Sequence, residues 1–260
     1  MESLEKELGV LLAEQMREQM NNLSAAVQLL TDELGDRDEK CRQYLAIMNQ
    51  SMYRMMRMVS NLEYVNAMGG AREFQGREVD LAGLCRDLEY QAQPLLRRGK
   101  VSFTYREERS DLIVQGDSAL LRRMLLNLIA NAIQAAGRRG ETGLHLSANR
   151  ERAVITVWDN GPGLEKMQGY SRALERPDGL GLGLKVVRDI VQLHGGTLVF
   201  DQREGRGLNA VVSLPLCQPN GQQVKTPPSQ VDGSGGFAPI LVELAGVLPF
   251  QVYLPGEREE

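Results

Sequence analysis

The stretch Leu125 to Gly137, LLNLIANAIQAAG, places the tightest limit on what this chain can fold into. Leu125, Leu128, Ile129, Ala132, Ile133 and Ala136 recur at helical spacing, so one side of this helix must be covered by other elements. Asn127 and Asn131 sit four residues apart on one face. Each carboxamide brings a carbonyl acceptor and an amide donor, and two stacked one turn apart can hold a hydrated hard cation against a polyphosphate. For the helix taken alone, asparagines that merely face solvent are the simpler account.

Two downstream segments change that balance. Ala153 to Trp158 is an apolar run that reads as a buried strand, and Asp159-Asn160-Gly161-Pro162-Gly163 ends it with a turn in which the glycines can take positive φ. Asp159, at the strand end, can accept a hydrogen bond from an exocyclic amine in an otherwise apolar pocket. Next comes GLGLGLKVVRDIVQLHGG, Gly179 to Gly196: three alternating glycines, an amphipathic helix and a Gly-Gly stop. Glycines that open a helix let backbone N–H groups approach phosphate oxygens, in the favourable field of the helix N-terminus.

NLIAN, DNGPG and GLGLGL, in this order, resemble the N box and the two glycine boxes of the sensor histidine kinase ATP-binding domain, over roughly Val79 to Leu216. That fold is shared with type II topoisomerases, mismatch-repair ATPases and a heat-shock chaperone. The resemblance implies ATP and Mg²⁺ as ligands. It implies that Asn131 coordinates the metal with Asn127 assisting, that Asp159 binds the adenine amino group, that Gly161 and Gly163 shape the base pocket, and that Gly179, Gly181 and Gly183 line the phosphates. The ATP-hydrolysing relatives carry a glutamate general base where this chain has Asn127, so the kinase branch fits better.

The chain's bulk excludes several other classes. Its 260 residues allow one or two domains, and 42% hydrophobic with 25% charged residues is ordinary globular composition. A net charge of −4 offers no general attraction to nucleic acid or an anionic membrane. Cys41, Cys85 and Cys217 are widely spaced and read as thiols in a reducing compartment. No apolar run approaches the ~18 residues of a membrane span, and MESLEKE is not a signal peptide, so a cytoplasmic location is expected.

Residues 1–70 read as two antiparallel helices joined near Gly35 to Asp38, with apolar positions at threes and fours from Leu4 to Leu34 and from Cys41 to Leu62. Two helices cannot cover both stripes, so a four-helix bundle homodimer is expected. The methionines Met48, Met52, Met55, Met56 and Met58 read as core filler. In front of an ATP domain, this hairpin resembles the dimerisation and phosphoacceptor domain of histidine kinases. It departs from that pattern at Arg17-Glu18-Gln19-Met20-Asn21-Asn22-Leu23, the best local match to His-Glu-x-x-x-Pro-Leu, which puts Arg17 at the acceptor position. A guanidinium stays protonated and has no lone pair to attack a phosphoryl group. Glu18 then stands where relatives have an acid able to act as base, although a solvated helix carboxylate explains it equally well. The chain's two histidines lie elsewhere: His145 reads as a half-buried strand residue and His194 as part of a helix end.

The expected fold is α+β: the two-helix hairpin, then at 71–217 an α/β sandwich of the histidine kinase ATPase type. Strands are expected near 101–105, 112–114, 142–149, 152–158, 196–202 and 208–215, with Asp80 and Asp117 as helix caps. The lid, Leu164 to Asp178, is short, and Gln134 stands where relatives commonly carry a lysine; Lys166, Arg172, Arg176 and Lys185 are candidate replacements. Residues 218–236 read as a flexible linker, and Phe237 to Tyr253, within 237–260, as an apolar hairpin docked in the same molecule or its dimer, with a partner-binding or self-inhibitory segment as the alternative. The resulting expectation is an ATP-binding, histidine-kinase-like protein of two-component phosphorelay signalling that phosphorylates a partner, with a response regulator, partner kinase or phosphotransfer protein as its contact. The alternatives are a non-catalytic nucleotide-binding regulator and a serine kinase of the anti-sigma-factor type.

Overall fold

Helix-forming runs without internal proline give the first two elements, α1 (Glu2–Leu34) and α2 (Glu39–Met68). The computed structural model describes residues 2–34, 38–68, 76–137, 139–163, 182–217 and 237–254. Ala13, Met20 and Val27 recur every seven residues on α1 and are buried, while on α2 Leu45, Ala46, Met52, Met56, Val59 and Tyr64 are buried. Met52 and Met56 pack with Met20, Val27, Leu45, Phe237 and Val242 in one cluster, and Met55 lies against it. These methionines therefore fill the hairpin core, whereas Met48 is exposed.

The chain divides into two compact units: Met1–Arg72 with Val231–Glu260, and Glu73–Gln230. In the first unit, the expected C-terminal hairpin is not made of strands. Its residues form a short helix, α6 (Pro239–Glu243), and a 3-10 helix (Phe250–Tyr253), both packed on α2. Short apolar runs carry no period that separates strand from helix, and Pro239 at the first helical turn favours the helix.

In the second unit, β1 (Arg77–Asp80) pairs antiparallel with β3 (Ile113–Gly116). Helix α3 (Leu81–Arg98) starts at Asp80, whose side chain accepts from the Gly83 N–H at 2.9 Å. Helix α4 (Ser118–Ala136) starts at Asp117, which accepts from Ala119 and Leu120 N–H at 2.9 and 3.1 Å, and stops at Gly137 with φ +73°. The main sheet has the order β2-β4-β5-β7-β6, built from β2 (Ser102–Glu107), β4 (Glu141–Ala148), β5 (Arg152–Asp159), β6 (Thr197–Gln202) and β7 (Leu208–Pro215). Only β2–β4 is parallel, because the chain crosses over through β3 and α4 between them. The α/β sandwich of mixed sheet and helices is the fold expected from the sequence.

Alternation along β5 buries Ala153, Ile155, Val157 and Asp159 on one face. Against that face lies α4, whose Leu121, Met124, Leu125, Leu128 and Ile129 are almost fully buried, and α5 (Leu182–Leu193) packs beside it with Val186, Val187 and Ile190. No helix among the described residues is long and apolar enough to cross a membrane.

Candidate functional site

Asp159 is the last residue of β5, and the two-residue period that buries Ile155 and Val157 also turns its carboxylate inward, to 4% exposure. Burial raises its pKa above the usual carboxylate value. Opposing this, the N–H groups of Gly161 and Leu208 and the nearby Arg203 charge favour the ionised form. The Gly161 N–H donates to Asp159 Oδ1 at 2.7 Å. The carboxylate is therefore aimed by backbone, with the turn itself as its donor.

That turn sits on the end of α4. A Cβ at Gly161 would stand 2.5 Å from the Ala135 carbonyl oxygen, and one at Gly163, which has φ +71°, would stand 2.4 Å from Gln202 Nε2. The β6–β7 turn closes from the other side: a Cβ at Gly207 would lie 1.8 Å from the Asp159 carbonyl oxygen, and Arg206 Nε donates to Gly161 O at 3.2 Å. In the same turn, the Arg203 guanidinium stacks 4.1 Å over the Trp158 ring. Glycine at 161 and 207 is a steric requirement here, since a side chain at 161 would push the turn off the end of α4 and one at 207 would push the two turns apart.

The two asparagines of α4 differ in environment. Asn127 is fully buried, and its amide donates to the Arg123 carbonyl one turn earlier at 3.0 Å. Asn131 is partly exposed, and its buried Nδ2 has no hydrogen-bond partner among the described residues. An orphaned amide one helical turn before Ala135, the residue that Gly161 packs against, leaves a donor for a polar ligand. A nucleotide fits these residues: a carboxylate for an amine, glycine-lined backbone for a flat ring, and an unsatisfied carboxamide for a hydrated cation or phosphate oxygen.

Of the glycines expected along the phosphates, Gly183 is in the first turn of α5, whereas Gly179 and Gly181 lie outside the described residues, as do Lys166, Arg172 and Arg176. Lys185 pairs with Asp189 at 2.7 Å. His145 is partly exposed on β4 and faces Glu108 at 3.1 Å. In the helical unit, Arg17 Nε donates to Glu63 Oε1 at 2.8 Å, and its guanidinium forms an ion pair with the same carboxylate. Glu18 is exposed.

The motifs alone did not single out His194 as a support of the site. Its Nε2 accepts from the Asp117 N–H at 3.1 Å, and its Nδ1 donates to Ile190 O at 2.7 Å, so the neutral ring ties the end of α5 to the start of α4. Gly116 leaves room for this ring, since a Cβ there would come within 2.7 Å of it. The β6–β7 turn falls between the two expected strands, at the hairpin signal Glu204-Gly205-Arg206-Gly207, but its approach to Asp159 carries no signal in the sequence.

Residues 116–218 match the family "Histidine kinase-, DNA gyrase B-, and HSP90-like ATPase", which makes this unit a domain of the GHKL type, in its sensor histidine kinase branch. Among curated relatives, sensor histidine kinase ZraS of Klebsiella oxytoca is 31% identical over 193 residues, covering 72% of this chain and 40% of that protein. Sensor protein kinase PmrB of Pseudomonas aeruginosa is 35% identical over 131 residues, covering 47% of this chain and 27% of that protein. The chain thus spans less than half the length of these two relatives. Among solved structures, full-length ShkA in complex with AMPPNP shares the fold with a TM-score of 0.66 at 23% identity, over 82% of this chain and 46% of that one. Histidine kinase ThkA in complex with response regulator protein TrrA does so with a TM-score of 0.54 at 21% identity, over 81% and 61%.

Two substitutions test this geometry. Gly207→Ala combines positive φ with a backbone overlap and is expected to cost about 3 kcal/mol or more, whereas Gly205→Ala, with φ +82° and open space around it, costs about 1 kcal/mol; chemical denaturation measures both. Burial holds the His194 pKa below its ordinary value of 6.5, so as the pH falls the unfolded chain takes up this proton first. The stability due to the neutral ring is complete above 6.5 and is lost as the pH drops through 6.5 toward the folded-state value. Calorimetry between about pH 7.5 and 5.5 should show a steeper fall in melting temperature for the parent than for His194→Gln.

Proposed function

We propose that this chain binds Mg·ATP and acts as a histidine-kinase-like phosphotransferase of two-component signalling, passing the γ-phosphoryl group to a histidine on a partner. The observation that carries the binding half is the Asn131 amide, unpartnered among the described residues, one turn before the Ala135 on which the buried Asp159 turn packs. In this reading Asp159 accepts a hydrogen bond from the adenine amino group, and its burial makes that bond selective, because a base lacking the amine leaves a desolvated carboxylate unpaired. Gly161 and Gly163 let the ring lie against backbone, and Gly183 with the first turn of α5 presents N–H groups to the phosphates. Asn131 would hold the cation or a phosphate oxygen, while Asn127, engaged inside α4, stiffens the turn below it. Bound Mg²⁺ would neutralise charge on the β- and γ-phosphates.

The partner half rests on the hairpin. Neither of the chain's two histidines lies in it, and Arg17, at the position matching the acceptor, is held by Glu63. Without a neutral nucleophile there, the chain's own contribution is alignment and charge stabilisation, and the nucleophile comes from elsewhere. A second copy fits the outer side of α1: Met16, Leu23 and Leu30 repeat every seven residues and are 41%, 49% and 42% exposed, an apolar seam suited to a four-helix bundle homodimer. A response regulator is the further contact suggested by the ThkA complex with TrrA. The same Arg17–Glu63 pairing also favours a second reading, a nucleotide-binding scaffold that transfers nothing.

Titration with a fluorescent ATP analogue tests the binding half: Asn131→Ala and Asp159→Asn should each weaken affinity by about tenfold or more, and full affinity in both would overturn it. Incubation with γ-labelled ATP tests the transfer half. A partner protein should take up label while the parent chain does not, and Arg17→His should acquire it. Tight ATP binding with no labelled protein in the presence of candidate partners would instead establish the scaffold reading.

A further inference from the structure

Residues 237–254 engage α2 through one helical face and mainly through their own backbone. Asn49, Gln50, Tyr53, Arg54 and Arg57 share that face by their spacing. Gln50 Nε2 donates to the carbonyl oxygens of Leu248 and Ala245 at 2.6 and 3.4 Å, Arg54 Nε to Ala245 O at 3.0 Å, and Asn49 Nδ2 to Tyr253 O at 3.3 Å. Tyr53 meets Phe237 edge to face at 5.0 Å and Tyr253 at 5.2 Å, and Arg57 pairs with Glu243 at 3.4 Å. The segment also holds its own shape. Tyr253 O–H donates to Leu241 O, and backbone bonds from Val242 to Ala238, Leu244 to Ile240 and Leu248 to Leu244 close its turns. This combination of carbonyl recognition and apolar anchors is how a groove takes a short, pre-shaped peptide.

We propose that the 49–57 face of α2 is a peptide-binding site and that residues 237–254 are its tethered, exchangeable ligand. The nucleotide-binding unit, Glu73–Gln230, lies in sequence between the site and the ligand. Docking therefore joins that unit to the helical unit at both of its ends, and release leaves a single covalent connection. Tethered ligands reach effective concentrations on the order of millimolar, so a site of roughly micromolar affinity stays filled in cis and still exchanges.

The test uses the full chain with a protease recognition sequence placed within 218–236. After cleavage, the C-terminal fragment should comigrate with the body at about 50 μM, dissociate on dilution, and be displaced by a labelled synthetic 237–254 peptide. Gln50→Ala with Arg54→Ala in the body should weaken peptide binding by about tenfold or more, read by fluorescence anisotropy. Phe237→Ala with Tyr253→Ala in the peptide, which leaves the body untouched, should do the same. A fragment that never exchanges would overturn the proposal, because it would be a permanent part of the fold. Peptide affinity indifferent to both pairs of substitutions, or no binding by a body of unchanged helicity, would overturn it equally.

Discussion

A carboxylate sealed into the apolar face of a sheet is the constraint on which the nucleotide-binding unit depends. Asp159 continues the alternation of Ala153, Ile155 and Val157, and a charge in that position is tolerated only where donors reach it. The donors are main-chain N–H groups from two separate turns, at Gly161 and Leu208. One turn must lie against the backbone end of α4 and the other against the Asp159 backbone, which is why the positions facing Ala135 and Asp159 carry no side chain. The sterics of two glycines and the electrostatics of one aspartate are a single requirement.

Local signals suffice where the physics is local. Asp80 and Asp117 cap their helices as their side-chain chemistry demands, and the strands β4 to β7 follow alternating or continuous apolar runs bounded by turn residues. Misses arose where the deciding contact is remote in sequence. His194 takes its role from an N–H 77 residues away, and β1 exists because its four residues pair with β3. The C-terminal segment is helical where a hairpin is expected, since its apolar runs are too short to show a period and its partner face lies nearly two hundred residues earlier. Within the candidate site, the two asparagines looked equivalent by spacing; only packing separates the amide used inside α4 from the orphaned one.

The helical unit shows the same division between pattern and partner. On α1, one set of sevenfold positions, Ala13, Met20 and Val27, meets α2, and a second set three residues on, Met16, Leu23 and Leu30, stays outside. Two apolar positions per heptad are what a bundle of more than two helices needs. Arg17 flanks the buried stripe on the side away from the exposed one and is held by Glu63 across the hairpin. A side chain that bridges the two helices in this way is committed to packing and charge pairing, and chemistry at that position would require the bridge to be undone.

The split of the helical unit between the two ends of the sequence bears on synthesis as well as on architecture. The α2 face leaves the ribosome about 180 residues ahead of the segment that covers it, an interval of roughly ten to forty seconds at ordinary elongation rates. Throughout that time Tyr53 and its apolar neighbours stand uncovered on the nascent chain. Their protection then falls to chaperones or to association with another nascent hairpin, so the order of translation bears on whether this protein matures or aggregates.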